Sequence, residues 1–276
     1  MTLPTRPLGR TAIDVPLLGL GTVAVGRSTG LRYPKPVRRP TDKDARALID
    51  AALVHGVTLL DTAPAYGDAE VRLGRLLRLR RDQFIVVTKT GETYDGEHSS
   101  FDFSRQATLM SIERSMRALA TDCLDCVLLH SDGRNEARLV DTGALEGLHD
   151  RKQAGDIRAV GASTKTIPGL RALAPYVDVL MVTLGDEQEV EAARAAASAH
   201  GCGILVKKAL HSGHAENPAE ALQAASAHAF VSSVVVGTTR PAHLAPLSRP
   251  ACARWTLHAH ASHPLPCAPP GHSRRV

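Results

Sequence analysis

Four side chains in the first half of this 276-residue chain have types and spacings suited to proton chemistry: Asp61, Tyr66, Lys89 and His130. Asp61, Lys89 and His130 directly follow short apolar runs at residues 57–60, 84–88 and 126–129, and Tyr66 lies in the turn after Asp61. Tyrosine is scarce, four in all, so one placed after Pro64 and beside Gly67 calls for a reason. A phenol with its ordinary pKa of about 10 is a poor proton donor at neutral pH. A neighbouring ammonium stabilises the phenolate and lowers that value. A buried lysine in turn needs a carboxylate to stay charged, a role open to Asp61. An imidazole opposite can donate to a carbonyl oxygen and stabilise a developing alkoxide. Tyr66 as acid, Lys89 as tuner, Asp61 as anchor and His130 as polariser suit carbonyl reduction, and since none supplies a hydride, a cofactor is implied. Singly, each has a plainer role: a turn cap, a surface lysine, a satisfied core histidine, a packing ring. Their arrival at consecutive strand ends is what argues for a site.

Such groups converge only if the strands share one rim. Eight apolar runs are legible, at residues 15–20, 57–60, 84–88, 126–129, 157–160, 177–182, 203–206 and 233–236. They are rich in Val, Leu and Ile without clean alternation, as expected of parallel strands covered on both faces. Between them lie helical patterns at 45–54, 106–119, 142–153 and 187–200, with start signals at Thr41 and Ser104 and stops at Gly56, Gly155 and Gly201. Eight strands alternating with helices predict an α/β chain closed into a (β/α)8 TIM barrel, with chemistry at the C-terminal strand ends. The barrel is expected over residues 1–245. Residues 246–276 are rich in Pro, His and Arg, and Pro246 and Pro250 are predicted to break the eighth helix, leaving an irregular or poorly ordered tail in place of much of it. The stretch Gly19-Leu20-Gly21-Thr22-Val23-Ala24 matches G-x-G-x-x-A. The residues after it (Gly26, Ser28, Gly30, Pro34, Pro36) predict a loop, so it reads as a tight strand exit near a ligand and not as a dinucleotide turn.

Composition narrows the class. At 43% hydrophobic residues the chain can bury a sizeable core, and at 3% aromatic that core is aliphatic. The net charge of +5 comes from scattered arginines without interleaved aromatics, which speaks against nucleic acid and for a solvated surface or a cofactor phosphate. No leader pattern or apolar run of about 18 residues predicts export or a membrane span. An odd count of five cysteines predicts reduced thiols in a cytoplasm. Cys123 and Cys126 have half the spacing of a zinc site but no second pair, so packing is the better reading and no metal is expected.

The segments Asp61-Thr62-Ala63-Pro64-Ala65-Tyr66-Gly67, Val87-Thr88-Lys89 and Leu128-Leu129-His130 resemble the Asp/Tyr/Lys/His tetrad of the aldo-keto reductase superfamily. Gly19-Leu20-Gly21-Thr22, Gly161-Ala162-Ser163, and Val236-Gly237-Thr238 with His243-Leu244 are similar to further segments of it, in the same order, over roughly residues 5–245. Lys89-Thr90-Gly91-Glu92 and His130-Ser131-Asp132-Gly133 look like a bacterial branch. The resemblance implies a (β/α)8 fold, NADP(H) lying across the strand ends with NAD(H) left open, and interconversion of a small aldehyde or ketone with an alcohol. It implies Gly21, Thr22 and Asp61 near the cofactor and Ser163 on the nicotinamide carboxamide. The far end falls to Gly237, Thr238, Thr239, Arg240 and His243, with Arg240 assigned to a 2′-phosphate because a guanidinium can pair with it through two hydrogen bonds.

Several positions depart from the family pattern. Thr164 stands for an Asn, Met181 for a carboxamide-contacting Gln, and Lys207-Lys208 for a stacking aromatic. These changes and the proline-rich tail motivate a second reading, a nicotinamide-binding regulatory relative that turns over poorly, and a third, a chain whose degenerate end leaves it incompletely folded. The expected partners are a small carbonyl or alcohol, with no nucleic acid or membrane, in a monomer or weak homo-oligomer.

Overall fold

The computed structural model describes residues 3–31, 33–34 and 36–252. Eight strands close into one parallel barrel: β1 (Leu18–Gly21), β2 (Leu59–Asp61), β3 (Ile85–Thr90), β4 (Leu124–His130), β5 (Ile157–Ser163), β6 (Val179–Val182), β7 (Gly203–Val206) and β8 (Val231–Gly237). Neighbours in the barrel are neighbours in sequence, with β8 pairing β1 to close it. The helices are α1 (Asp42–Val54), α2 (Ala69–Leu77), α3 (Arg105–Leu119), α4 (Ala144–Gln153), α5 (Ile167–Leu173), α6 (Glu187–His200), α7 (Pro218–Ala227) and α8 (Leu244–Cys252).

Local chemistry explains the helix starts. The Thr41 hydroxyl accepts from the Asp44 amide and the Asp44 carboxylate accepts from the Thr41 amide, a reciprocal cap for α1. The side chains of Ser104, Asp186 and Asn217 cap α3, α6 and α7, each accepting from the amide three residues on. Gly56, Gly155 and Gly201 follow their helices with positive φ, where a side chain would be strained.

Two layers of packing follow from the strand period of two. One apolar set, including Leu20, Leu60, Val86, Val127, Val160 and Leu180, faces the helices. The other, including Leu59, Val87, Cys126, Leu128, Val179, Met181, Leu205 and Val235, fills the barrel interior. Glycines make room inside it: a Cβ at Gly161 would fall 2.3 Å from Leu128, and one at Gly19 2.5 Å from Leu59. Leu8, Ile13 and Val15, from a short antiparallel hairpin (Thr5–Pro7 with Asp14–Pro16), join the same interior cluster.

The structure departs from the sequence reading in three places. The run 15–20 is divided: its first part belongs to the hairpin, and only Leu18–Gly21 joins the barrel. A one-turn helix, Val23–Gly26, follows Thr22 where a loop was expected. Pro246 and Pro250 do not break α8, which runs from Leu244 to Cys252. Pro246 falls in the first turn, where an amide N–H would have no helical acceptor and its absence costs little. This helix is short, nine residues, and crosses the 245/246 position at which the composition changes. The stretch 253–276 lies outside the described residues. No helix among the described residues is long and apolar enough to cross a membrane.

Candidate active site

The inward-facing rows of the barrel end on polar groups at its C-terminal rim. In β2 the row Leu59, Asp61 points inward; in β3 it is Val87, Lys89; in β4 it is Cys126, Leu128, His130; in β5 it is Ala159, Gly161, Ser163. Strand register sets their relative heights. Asp61 pairs with Val87, so Lys89 sits one inward step higher and reaches back to it. His130 pairs with Ser163, which places both on the rim.

Lys89 is nearly sealed from solvent, its side chain 1% exposed. Its ammonium donates to Asp61 Oδ1 and, at 2.8 Å, to the Thr62 carbonyl. Burial alone would lower the Lys89 pKa, but the Asp61 carboxylate and Tyr66 outweigh it, and the value is raised. The Tyr66 hydroxyl lies 3.5 Å from Asp61 Oδ2, and the Lys89 ammonium stands 4.6 Å from its ring centre. The Tyr66 and His130 rings meet edge to face at 6.2 Å. The four residues are therefore one cluster.

One expectation holds only in part. Lys89 was read as lowering the Tyr66 pKa. Burial and the Asp61 carboxylate raise it, more strongly than Lys89 lowers it, and the value stands at about 12. Tyr66 is a neutral phenol that holds its proton firmly.

Backbone contacts fix the tyrosine. Pro64 opens a single 3-10 turn, Pro64–Tyr66, and Gly67 leaves it at φ +64°. Gly26 packs against this turn so closely that an added Cβ would lie 1.8 Å from the Tyr66 carbonyl oxygen. Arg27 donates to the Ala65 carbonyl at 3.0 Å. The buried Arg72 of α2 ties down the segment between β1 and α1, which carries Gly26 and Arg27, through the carbonyls of Val25 and Pro40 and the Asp42 carboxylate.

Glu92, given no chemical role in the sequence reading, belongs to the cluster. It lies on a small hairpin (Glu92–Tyr94 with Ser99–Phe101) after β3, with Oε2 2.7 Å from His130 Nδ1 along a bent approach. Burial would raise its pKa, yet His130 and the Ser99 hydroxyl overcome this, and the value falls to about 2. Burial lowers the His130 pKa below its ordinary value, against the opposing pull of Glu92.

The remaining predicted positions are distributed unevenly. Thr22 is buried and donates to the Asp61 carbonyl at 2.9 Å, and Gly21 pairs with Gly237 between β1 and β8. Lys207, after β7, donates to Ser163 Oγ at 2.9 Å and to the Thr164 carbonyl at 2.6 Å. Burial, then Lys208, Lys89 and Lys165, push the Lys207 pKa down to about 7. Met181 is packed inside the barrel, its carbonyl accepting from the Thr164 amide at 3.1 Å. Beyond β8, Thr238 meets His243 Nδ1 at 3.0 Å. Thr239 and Arg240, with Arg38 and Arg39, line an open depression of about 470 Å³. A larger cavity, about 920 Å³, is lined by residues at the N-terminal strand ends, such as Thr58, Ile85 and Arg158, away from the tetrad. Cys126 is buried in the barrel interior, and no cluster of three or more His, Cys, Asp or Glu placed to hold a metal ion occurs among the described residues.

These residues fit a nicotinamide dinucleotide by their chemistry. A hydroxyl and a cation on one arc of the rim suit an amide-bearing ring, and three guanidinium groups beside the β8 exit suit phosphate.

Comparison with known proteins agrees with this geometry. A sequence model of the Aldo/keto reductase family matches residues 17–219. A crystal structure of an aldo-keto reductase from Pseudomonas aeruginosa is 39% identical, with a TM-score of 0.81 over 90% of this chain and 93% of its own. The D-threo-aldose 1-dehydrogenase of a Pseudomonas species is 26% identical over 87% of this chain and 91% of its own length. The NADH-specific methylglyoxal reductase of Escherichia coli is 29% identical across 62% of this chain and 55% of its own. With the closed barrel, the clustered rim residues and a family match over most of its length, the chain belongs to the aldo/keto reductase family of oxidoreductases.

Proposed function

We propose that the protein is a cytoplasmic NADP(H)-dependent aldo-keto reductase that interconverts a small aldehyde or ketone with its alcohol, Tyr66 being the proton donor. The observation that carries this reading is the sealed Lys89–Asp61 pair beneath the Tyr66 ring, bordered by His130. When bound, the nicotinamide would supply the hydride. The chain's own residues handle the proton and hold the reactants. Tyr66, kept protonated, offers its hydroxyl proton to an oxygen placed between it and His130. Lys89 sits against the ring as a fixed positive charge, and the negative charge that develops on Tyr66 as the proton leaves is stabilised by it. Asp61 holds that ammonium in place and keeps it charged.

Ser163 and Thr164 would hold the carboxamide end, with Lys207 beside them. Thr238, Thr239 and Arg240 would hold the phosphates, Arg240 giving the preference for NADP(H) over NAD(H). Recognition of the substrate falls to the rim segments 91–104 and 130–141, with no nucleic acid or membrane partner. The reading is tested by titrating the purified protein with NADPH and then assaying a panel of small aldehydes. Micromolar binding followed by turnover is expected. Tight binding without turnover would favour the regulatory relative instead.

A further inference from the structure

We propose that Tyr33 is a cofactor-binding residue, its hydroxyl donating to the diphosphate bridge of the dinucleotide where that bridge crosses the exit of β8. Tyr33 is one of only four tyrosines and comes from the segment between β1 and α1, far in sequence from the strand it touches. A Cβ added at Gly237, the last residue of β8, would lie 2.4 Å from the Tyr33 hydroxyl oxygen. The tip of the phenol therefore fills the place that a side chain would take. Gly237 pairs with Gly21 of β1, so two glycines in register leave bare backbone beneath the hydroxyl. On the other side, in the turn after β7, a Cβ at Gly213 would fall 3.4 Å from the Tyr33 ring and 3.3 Å from Pro34. Tyr33 thus lies over the gap between the segments that leave β7 and β8.

That gap is on the way between the two ends assigned to the dinucleotide. The carboxamide end belongs with Ser163 and Lys207, and the adenosine end with the depression lined by Thr239, Arg240, Arg38 and Arg39. A molecule held at both places crosses the exits of β7 and β8, and its middle is the diphosphate. Cations flank the crossing, Lys207 and Lys208 on one side and the three arginines on the other. The carboxylate that lines the depression, Asp44, is engaged with Thr41 in the cap of α1.

The chemistry of the hydroxyl fits the same ligand. None of the described residues hydrogen-bonds it. The side chain is half-buried, and burial raises its pKa, so the O–H is intact at neutral pH. A phenol O–H is a donor, and a phosphate oxygen is a charged acceptor that makes a shorter and stronger bond than a neutral one. A phosphate set down on Gly237 takes the place where the hydroxyl rests. Rotation of the side chain then lifts the phenol onto the phosphate with its donor foremost. Tyr33 holds the cofactor in this way and has no part in the proton transfer at Tyr66.

This inference rests on the dinucleotide binding proposed above, and its test separates the two. Fluorescence titration measures the Kd of NADPH and of NADH. Tyr33→Phe keeps the ring and removes the donor, so both dinucleotides should bind about tenfold more weakly, because both carry the diphosphate. In ³¹P spectra of bound NADPH, Tyr33→Phe should shift the diphosphate resonances and leave the 2′-phosphate resonance in place. Unchanged Kd values, or a loss confined to NADPH, would overturn the assignment. So would a 2′-phosphate resonance that moves as far as the diphosphate, the mark of a general disturbance at the β8 exit. In the cofactor-free protein, nuclear Overhauser contacts between the Tyr33 ring and the Gly237 α protons are expected, with Tyr33→Leu identifying the ring signals. Their absence overturns the placement of Tyr33. A wild-type chain that binds neither dinucleotide overturns the proposed function and the role of Tyr33 together. One that binds both without turnover contradicts the reductase activity alone, and the Kd values and ³¹P spectra still decide on Tyr33.

Discussion

Gly26 and Tyr66 are in backbone contact: a Cβ added at Gly26 would lie 1.8 Å from the Tyr66 carbonyl oxygen and 2.5 Å from the Ala69 amide. The one-turn helix after β1 thus acts as a buttress for the turn that carries the phenol. Gly26→Ala should push Tyr66 off the rim while leaving the barrel folded. Because about 1 Å of misplacement can cost about a hundredfold in rate, kcat/KM for aldehyde reduction should fall ten- to hundredfold. Far-ultraviolet circular dichroism should be unchanged. Wild-type kcat/KM in this variant would contradict the buttress.

The Lys89–Asp61 pair should matter to stability as well as chemistry. Lys89→Met leaves the Asp61 carboxylate buried without its partner, and breaking such a pair costs about 3–5 kcal/mol. Urea denaturation at pH 7 measures it, and a loss under about 1 kcal/mol would contradict the account. The sign of the pH dependence follows from the raised Lys89 pKa. The contribution is complete below the unfolded value of 10.5 and is lost only as pH rises through the higher folded value, so it should be constant from pH 6 to 9.

Much of this arrangement is legible in the residues. Asp61, Lys89 and His130 each end an apolar run, and strand ends are where a barrel presents its chemistry. The parts not legible depend on register and on long side chains. Nothing in the local sequence says that Lys207 reaches from β7 to Ser163 on β5, or that Glu92 turns back to His130. The motif Lys89-Thr90-Gly91-Glu92 was a signal for the latter: Gly91, at φ +96°, allows the chain to reverse after β3. Lys89 does lower the Tyr66 pKa, as its charge predicts, but burial and Asp61 act together against it and the net shift is upward.

Lys207 should make cofactor binding depend on pH. A group hydrogen-bonded to Ser163 lies within about 6 Å of the Lys207 ammonium, two hydrogen bonds in series. Below pH 7 Lys207 is charged and repels the cationic ring of an oxidised nicotinamide, while the reduced ring is neutral. The ratio of the Kd of NADP⁺ to that of NADPH should fall about tenfold from pH 6 to pH 8.5. Lys207→Met should flatten the dependence, and Lys207→Arg should hold the ratio high throughout. Fluorescence titration reads all three; a ratio independent of pH in the wild-type chain would contradict the charge effect.

Arg240 should carry the choice between the two dinucleotides. It lines the depression at the β8 exit together with Arg38 and Arg39. Arg240→Ala should weaken NADPH binding about tenfold by removing a charge-assisted pair, and leave NADH binding within about twofold. Equal weakening of both would assign Arg240 to the shared diphosphate.

The central claim is that Tyr66 delivers the proton, and Tyr66→Phe tests it most directly because it removes one oxygen and keeps the ring that packs over Lys89. With NADPH saturating and an aldehyde that the wild-type chain reduces, kcat should fall by about 10²–10⁴ while the Kd for NADPH stays within about twofold. Turnover at the wild-type rate in this variant would contradict the account.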